Sequence, residues 1–138
     1  MDRSDRAAQP TRYARGLHVA CVILAGGQGT RIGGSKPHRR LAGETLLARA
    51  LDQARRWSAA TAIAVRDEGQ LEGHRATALI DDPAIPGPAA GLVSALRFAR
   101  ECGADAVLTI AADMPFLPAD LGARLARHIG GATAALAR

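Results

Sequence analysis

The sequence predicts an α/β domain built on a mostly parallel sheet with helices on both faces. Two observations lead there. Past residue 17, short β-branched apolar runs alternate with segments of helical period, the pattern of βαβ units. The apolar runs are also continuous rather than alternating, as strands covered on both faces require.

Residues 17–138 read as one domain and 1–16 as a polar, disordered tail. The tail carries Arg3, Arg6, Arg12 and Arg15 without an apolar stretch, so it lacks the form of a secretory signal. His18–Leu24 (HVACVIL) reads as a buried first strand, stopped by Gly26-Gly27. Residues 45–57 (TLLARALDQARRW) follow as a helix: Leu46, Leu47, Ala50, Leu51 and Ala54 share one face, with Arg49, Asp52, Arg55 and Arg56 largely opposite. Residues 60–65 (ATAIAV) and 76–80 (ATALI) are the second and third strands, and the polar stretch 66–75 between them has room for a short helix only. Residues 89–102 (AAGLVSALRFAREC) have helical period and end at Gly103, where a left-handed residue is wanted. Residues 106–112 (AVLTIAA) form a fourth buried strand. A helix over 118–129 has Pro near its start and Gly130 just past its end. Residues 132–137 (ATAALA) read as the opening of a fifth strand.

Composition narrows the function classes. The chain has 138 residues, 48% apolar and 22% charged, enough for one hydrophobic core and too apolar for a disordered chain. Two cysteines, Cys21 and Cys102, do not make a disulfide scaffold and read as free buried thiols in a reducing, cytoplasmic compartment. No apolar run approaches the roughly 20 residues that span a bilayer. A net charge of +5 raises nucleic-acid binding, but the basic residues are scattered, and Tyr13, Trp57, Phe98 and Phe116 are too few to stack bases. A small anionic ligand near Arg31, Lys36, Arg39 and Arg40 suits the pattern better.

In such folds ligands bind beyond the carboxyl ends of the strands. Three connections qualify: 25–36, 81–91 and 113–118. The first packs five glycines with Arg31 and Lys36, a combination that brings backbone N–H groups and cations to phosphate oxygens. It fits neither usual phosphate motif, since Ile32 breaks the dinucleotide spacing and Ser35 stands where the Walker lysine belongs. Among 18 basic side chains Lys36 is the one lysine, a compact point charge where the chain otherwise uses arginine. Asp113 emerges directly after a buried strand, where a carboxylate needs a metal, a cation or N–H donors. Pro118 starts the next helix too late for Asp113 to cap it. Of the adjacent acids Asp81 and Asp82, strand alternation turns one toward the site. His18, His38, His74 and His128 have no metal-ligand spacing.

Leu24–Lys36 resembles the L-A-G-G-x-x-x-R-M-G-x-D-K signature of the molybdenum cofactor guanylyltransferase family, within the Rossmann-like nucleotidyltransferases. Pro86-Gly87-Pro88-Ala89-Ala90-Gly91 resembles that family's P-G-P-L-A-G turn, and Asp113-Met114-Pro115-Phe116 its D-M-P-F. The resemblance runs over residues 19–129. It implies a Rossmann-like nucleotidyltransferase fold in which Leu24, Ala25, Gly26 and Gly27 meet the nucleotide and Lys36, with Arg31, acts on its phosphates. Asp82 stands on the base side, and Asp113 binds Mg²⁺ and takes part in catalysis. The implied reaction transfers GMP from GTP to molybdenum-bearing molybdopterin and releases pyrophosphate. Partners in molybdenum cofactor biosynthesis or among molybdoenzymes follow, with no nucleic acid and no membrane. Transfer of a cytidylyl group, transfer to a sugar phosphate, and non-catalytic nucleotide binding are the alternatives. The chain departs from the pattern at Ser35, in place of the family's aspartate, and at Arg66, near a position where relatives place asparagine. It contains no asparagine. Relatives continue past the position of Arg138, so the resemblance implies a fold truncated at its C-terminus.

Overall fold

The computed structural model describes residues 8–26, 40–41, 43–71, 73–114 and 116–137. In chain order the strands are β1 (Thr11–Arg12), β2 (His18–Leu24), β3 (Arg40–Leu41), β4 (Glu44–Thr45), β5 (Thr61–Val65), β6 (Thr77–Ile80) and β7 (Ala106–Ala111). The helices are α1 (Leu46–Trp57), α2 (Ala89–Glu101) and α3 (Leu121–Ile129). β6, β5, β2 and β7 lie side by side and all parallel. The chain therefore moves outward from β2 through β5 to β6, then returns to place β7 on the other side of β2. That reversal is the topological switch point of a doubly wound sheet.

Strand alternation sorts the core into two unlike layers. Val19, Cys21 and Ile23 of β2, with Ile63, Val65, Leu108 and Ile110, pack under Leu47, Leu51 and Trp57 of α1. The opposite face offers Ala20, Val22, Ala62 and Ala64, against which α2 sets Ala95 and Ala99. Each large side chain buried on the α1 face contributes about 1.5–3 kcal/mol. Helices cover both faces, as the unbroken apolar strands require. The Thr45 hydroxyl accepts the Ala48 N–H at 3.0 Å and so starts α1. Gly103, with φ +75°, closes the turn after α2.

Three expectations change. Residues 11–16, assigned to the tail, are held on the sheet. β1 pairs antiparallel with the start of β2. Ser58 Oγ accepts the Thr11 N–H at 3.3 Å and donates to the Val19 carbonyl at 2.7 Å, and the Tyr13 hydroxyl donates to the Trp57 carbonyl. A two-residue strand has no period to read, and the Ser58 and Trp57 groups that anchor it lie more than forty positions away. Residues 132–137 form no strand and are mostly exposed, with Leu136 88% exposed. Alanine is a weak strand former, and no ladder among the described residues takes this run. The last helix begins at Leu121 rather than 118. Pro118 instead accepts the Leu121 N–H through its carbonyl in a turn before the helix. A hairpin of β3 and β4 was not anticipated at all.

Candidate functional site

A cavity of about 710 Å³ opens at the carboxyl ends of β2, β5, β6 and β7. The switch point puts it there: connections leaving neighbouring strands diverge to opposite faces, leaving a crevice between them. The ends of all four strands and the connections that leave them supply its walls, from Leu24 to Asp113.

Its floor is the end of β2. The Ala25 N–H donates to the Ala64 carbonyl at 2.9 Å, extending the parallel ladder one step beyond the strand. Leu24, Ala25 and Gly26, expected to meet a nucleotide, all line the cavity. At Gly26 a side chain would displace the Asp81 carboxylate or the loop, because a Cβ there would lie 2.5 Å from Asp81 Oδ2, with Cγ and the backbone nitrogen of Arg66 at 3.5 Å. Gly27, Arg31 and Lys36 lie outside the described residues.

Asp81 and Asp82 both line the cavity but hold different positions. The Asp81 N–H donates to the Val65 carbonyl at 2.8 Å, so the ladder continues past Ile80 and the side chain is fixed as a strand residue would be. Its half-buried carboxylate turns toward Gly26 and accepts the Ser94 hydroxyl at 3.2 Å. Burial pushes this carboxyl above its ordinary value, against the opposing pull of Ser94 and of the neighbouring Arg66. Asp82 is exposed, and its Oδ1 accepts the Ala84 N–H at 2.9 Å in a turn closed by the Ile85 N–H to the Asp82 carbonyl. Asp82, expected on the base side, thus holds the turn, while Asp81 reaches across to the first loop.

Asp81, Ser94 and Arg66 were not selected from sequence as site residues. A signal existed for Ser94: it falls among Ala90, Gly91, Ala95 and Ala99, the buried residues of α2, where a hydroxyl needs a partner.

The far wall combines Pro86, Gly87 and Pro88 with the first turn of α2, and Ala90 and Gly91 line the cavity. Helix N-termini carry free N–H groups and positive potential, a favourable neighbour for phosphate oxygens. Pro88 at the cap provides no side-chain hydrogen bond to these groups. Asp113 closes the ring. Ala112 prolongs β7 by donating its N–H to the Leu24 carbonyl at 3.3 Å, which carries Asp113 to the mouth beside the floor residues. Asp113 is exposed. Since α3 begins at Leu121, Asp113 does not cap it.

The donor set suits magnesium shared with a phosphate rather than a closed protein cage. Among the described residues no three His, Cys, Asp or Glu side chains cluster as a metal site. Magnesium is commonly held by one or two carboxylates with substrate phosphates and waters. Asp113, at the cavity mouth after β7, could supply one such carboxylate, whereas Asp81 follows β6 at the other end of the strand order.

Residues set aside from sequence stay outside the cavity. Cys21 is buried in the α1 layer, and burial pushes its thiol up to about 12, which leaves it unreactive. Cys102 is half-buried rather than buried and donates weakly to the Ala99 carbonyl at 3.4 Å. His18 pairs with Asp105 at the opposite end of the sheet. No helix among the described residues is long and apolar enough to cross a membrane.

Residues 21–138 match the family model of the MobA-like NTP transferase domain. A molybdenum cofactor guanylyltransferase of Rhodobacter capsulatus is 41% identical over 112 residues, covering 80% of this chain and 58% of that protein. The same-named protein of Sinorhizobium fredii is 40% identical over 109 residues, covering 75% and 50%. The chain thus spans about half the length of the curated relatives it matches. Among solved structures, molybdopterin-guanine dinucleotide biosynthesis protein A from Archaeoglobus fulgidus superposes with a TM-score of 0.60 at 28% identity, covering 77% of this chain and 53% of that one.

Proposed function

The chain belongs to the MobA-like NTP transferase domain family, and from that premise we propose that it transfers GMP from GTP to molybdopterin carrying molybdenum, releasing pyrophosphate. The observation that carries this reading is the convergence on one cavity of a glycine-containing strand end, a helix N-terminus and the Asp113 carboxylate. The names of the relatives supply the base and the acceptor.

In the transfer, an oxygen of the acceptor's phosphate forms a bond to the α-phosphorus of GTP as the α–β anhydride bond breaks, and pyrophosphate leaves with that electron pair. The chain's work is positioning and charge compensation, because phosphoryl-type transfer needs no covalent enzyme intermediate. Backbone groups of Ala25 and Gly26 seat the nucleotide against the sheet. The N–H groups at the start of α2 face phosphate oxygens, and Arg31 and Lys36 compensate the negative charge of the triphosphate. Asp113 would hold magnesium, which supplies neutralisation of charge on the departing pyrophosphate. Asp81, aimed at Gly26, fixes the wall against which the nucleotide lies. Action in the cytoplasm, alongside other proteins of molybdenum cofactor biosynthesis or the molybdoenzymes themselves, belongs to the same proposal.

Titration calorimetry of the 138-residue chain with GTP, CTP and ATP, each with and without Mg²⁺, tests it. Magnesium-dependent binding of GTP, lost in Lys36→Ala, is the expected result. Preference for CTP would reassign the reaction to cytidylyl transfer. No binding of any triphosphate by a folded sample would overturn it.

A further inference from the structure

Ser94 sits half-buried in the second turn of α2 and does not line the large cavity. A serine inside a helix commonly returns its hydroxyl to the carbonyl one turn back. Here the hydroxyl crosses instead to the loop after β6 and donates to Asp81 Oδ1 at 3.2 Å. Three restraints then fix the Asp81 carboxylate. Its backbone N–H is tied to the Val65 carbonyl at 2.8 Å, its Oδ1 is held by Ser94, and its Oδ2 lies over Gly26, so close that a Cβ there would stand 2.5 Å away. Oδ2 has no hydrogen-bond donor among the described residues. The carboxylate therefore presents one free acceptor, held still, at the floor of the cavity.

The charge of that oxygen decides which end of a nucleotide meets it. A fixed carboxylate repels phosphates, whereas the start of α2 attracts them. Asp81 leaves β6 and Asp113 leaves β7, three strand spacings apart, roughly 14 Å across the sheet. With the phosphates gathered toward Asp113, the nucleoside end falls beside Asp81. Among guanine, adenine and cytosine, only guanine offers two adjacent donors on its pairing edge, the ring N1–H and the 2-amino group. Adenine and cytosine each set one amino group beside an acceptor nitrogen, which a carboxylate oxygen repels.

We propose that Ser94 is a positioning residue: by holding Oδ1 it sets Oδ2 to accept from the 2-amino group of a guanine base, and so selects guanine without touching the nucleotide. The choice of guanine rests on the guanylyl-transfer reading above, which assigns the nucleotide to the large cavity. The locked geometry of Ser94, Asp81 and Gly26 does not rest on it.

The test is calorimetry of the 138-residue chain with GTP and with ITP, which lacks the 2-amino group, both with Mg²⁺. The parent is expected to bind GTP roughly tenfold tighter than ITP, the factor carried by one hydrogen bond to a charged acceptor. Ser94→Ala should shrink that ratio severalfold, Ser94→Thr, which keeps the hydroxyl, should restore it, and Asp81→Ala should abolish it. The gain in GTP affinity on adding Mg²⁺ should be the same in Ser94→Ala as in the parent, because the phosphate end is untouched. A serine with only a structural role would instead lower GTP and ITP affinity together. Equal affinity of the parent for GTP and ITP, an unchanged ratio in Ser94→Ala, or no recovery in Ser94→Thr would overturn the proposal. So would discrimination against 2′-deoxy-GTP with none against ITP, which gives Oδ2 to the ribose. Preference for CTP, or no binding of any triphosphate, overturns the guanylyl-transfer reading and this inference with it, whereas GTP binding that ignores the 2-amino group overturns this inference alone.

Discussion

Asp81 and Asp105 stand at opposite ends of the same sheet, and their surroundings treat them in opposite ways. Asp105 precedes β7 and is exposed. Its Oδ2 accepts the His18 N–H at 2.9 Å and lies 3.2 Å from the His18 ring. Those bonds hold its carboxyl below its ordinary value of 3.8. Asp81 follows β6, is half-buried, and takes one hydroxyl hydrogen bond from Ser94, so desolvation dominates and its carboxyl is held above that value. The amino end of the sheet satisfies its carboxylate with its own backbone. The carboxyl end holds one that the fold compensates less, and it lines the large cavity. Ser58 completes the contrast: buried at the amino end, it makes its hydrogen bonds to Val19, Ala60 and Thr11, all within the protein.

Four substitutions probe the difference between the two ends of the sheet. The largest effect is expected for Asp113→Asn, which removes the carboxylate assigned to magnesium while keeping its shape. Calorimetry should show GTP affinity becoming indifferent to Mg²⁺, with the magnesium-dependent gain reduced by about a hundredfold if charge compensation matters as in other transfer sites. Gly26→Ala comes next. Its Cβ would meet the Asp81 carboxylate at 2.5 Å, so either the loop or the carboxylate must move. Triphosphate affinity should fall roughly tenfold, at a stability cost of about 1–3 kcal/mol from overpacking.

Asp81→Asn is smaller and opposite in sign for stability. A carboxyl raised by folding contributes stability that is fully present below the unfolded value and lost as pH rises through the folded one. At pH 7 the native charge is therefore a liability. The variant should show a higher unfolding midpoint than the parent there, the difference closing as pH falls below about 4. Asp105→Asn should be the smallest and run the other way. A lowered carboxyl contributes stability present above its unfolded value and lost as pH falls through the folded one, so the variant melts lower at pH 7 and converges with the parent in acid. Thermal melts from pH 3 to 8 separate the two signs.

How far the sequence alone reaches is itself uneven in the same way. The four parallel strands and the two long helices were legible because each buries a continuous or periodic apolar run. The mouth of the site was legible at Gly26 and Asp113, where glycine and a carboxylate break an apolar strand. Which of Asp81 and Asp82 turns toward Gly26 was not. Period two states that adjacent residues diverge, but the absolute phase is set by the register of Val65 against Ile80. The attachment of Thr11 to Ser58 and the β3–β4 hairpin were invisible because two-residue pairings carry no pattern. The run 132–137 misled because apolar composition is necessary for a strand and an open ladder edge must also receive it.

On the proposed function, the carboxyl end of the sheet is the nucleotide site and the amino end is structural. Backbone amide chemical-shift mapping of the ¹⁵N-labelled chain during addition of GTP with Mg²⁺ tests it most directly. Ala25, Gly26, Asp81, Ala90 and Asp113 are expected to shift together along one binding curve while His18, Ser58 and Asp105 stay still. Shifts gathered at His18 and Asp105, or none at Gly26 and Asp113 under saturating nucleotide, would contradict it.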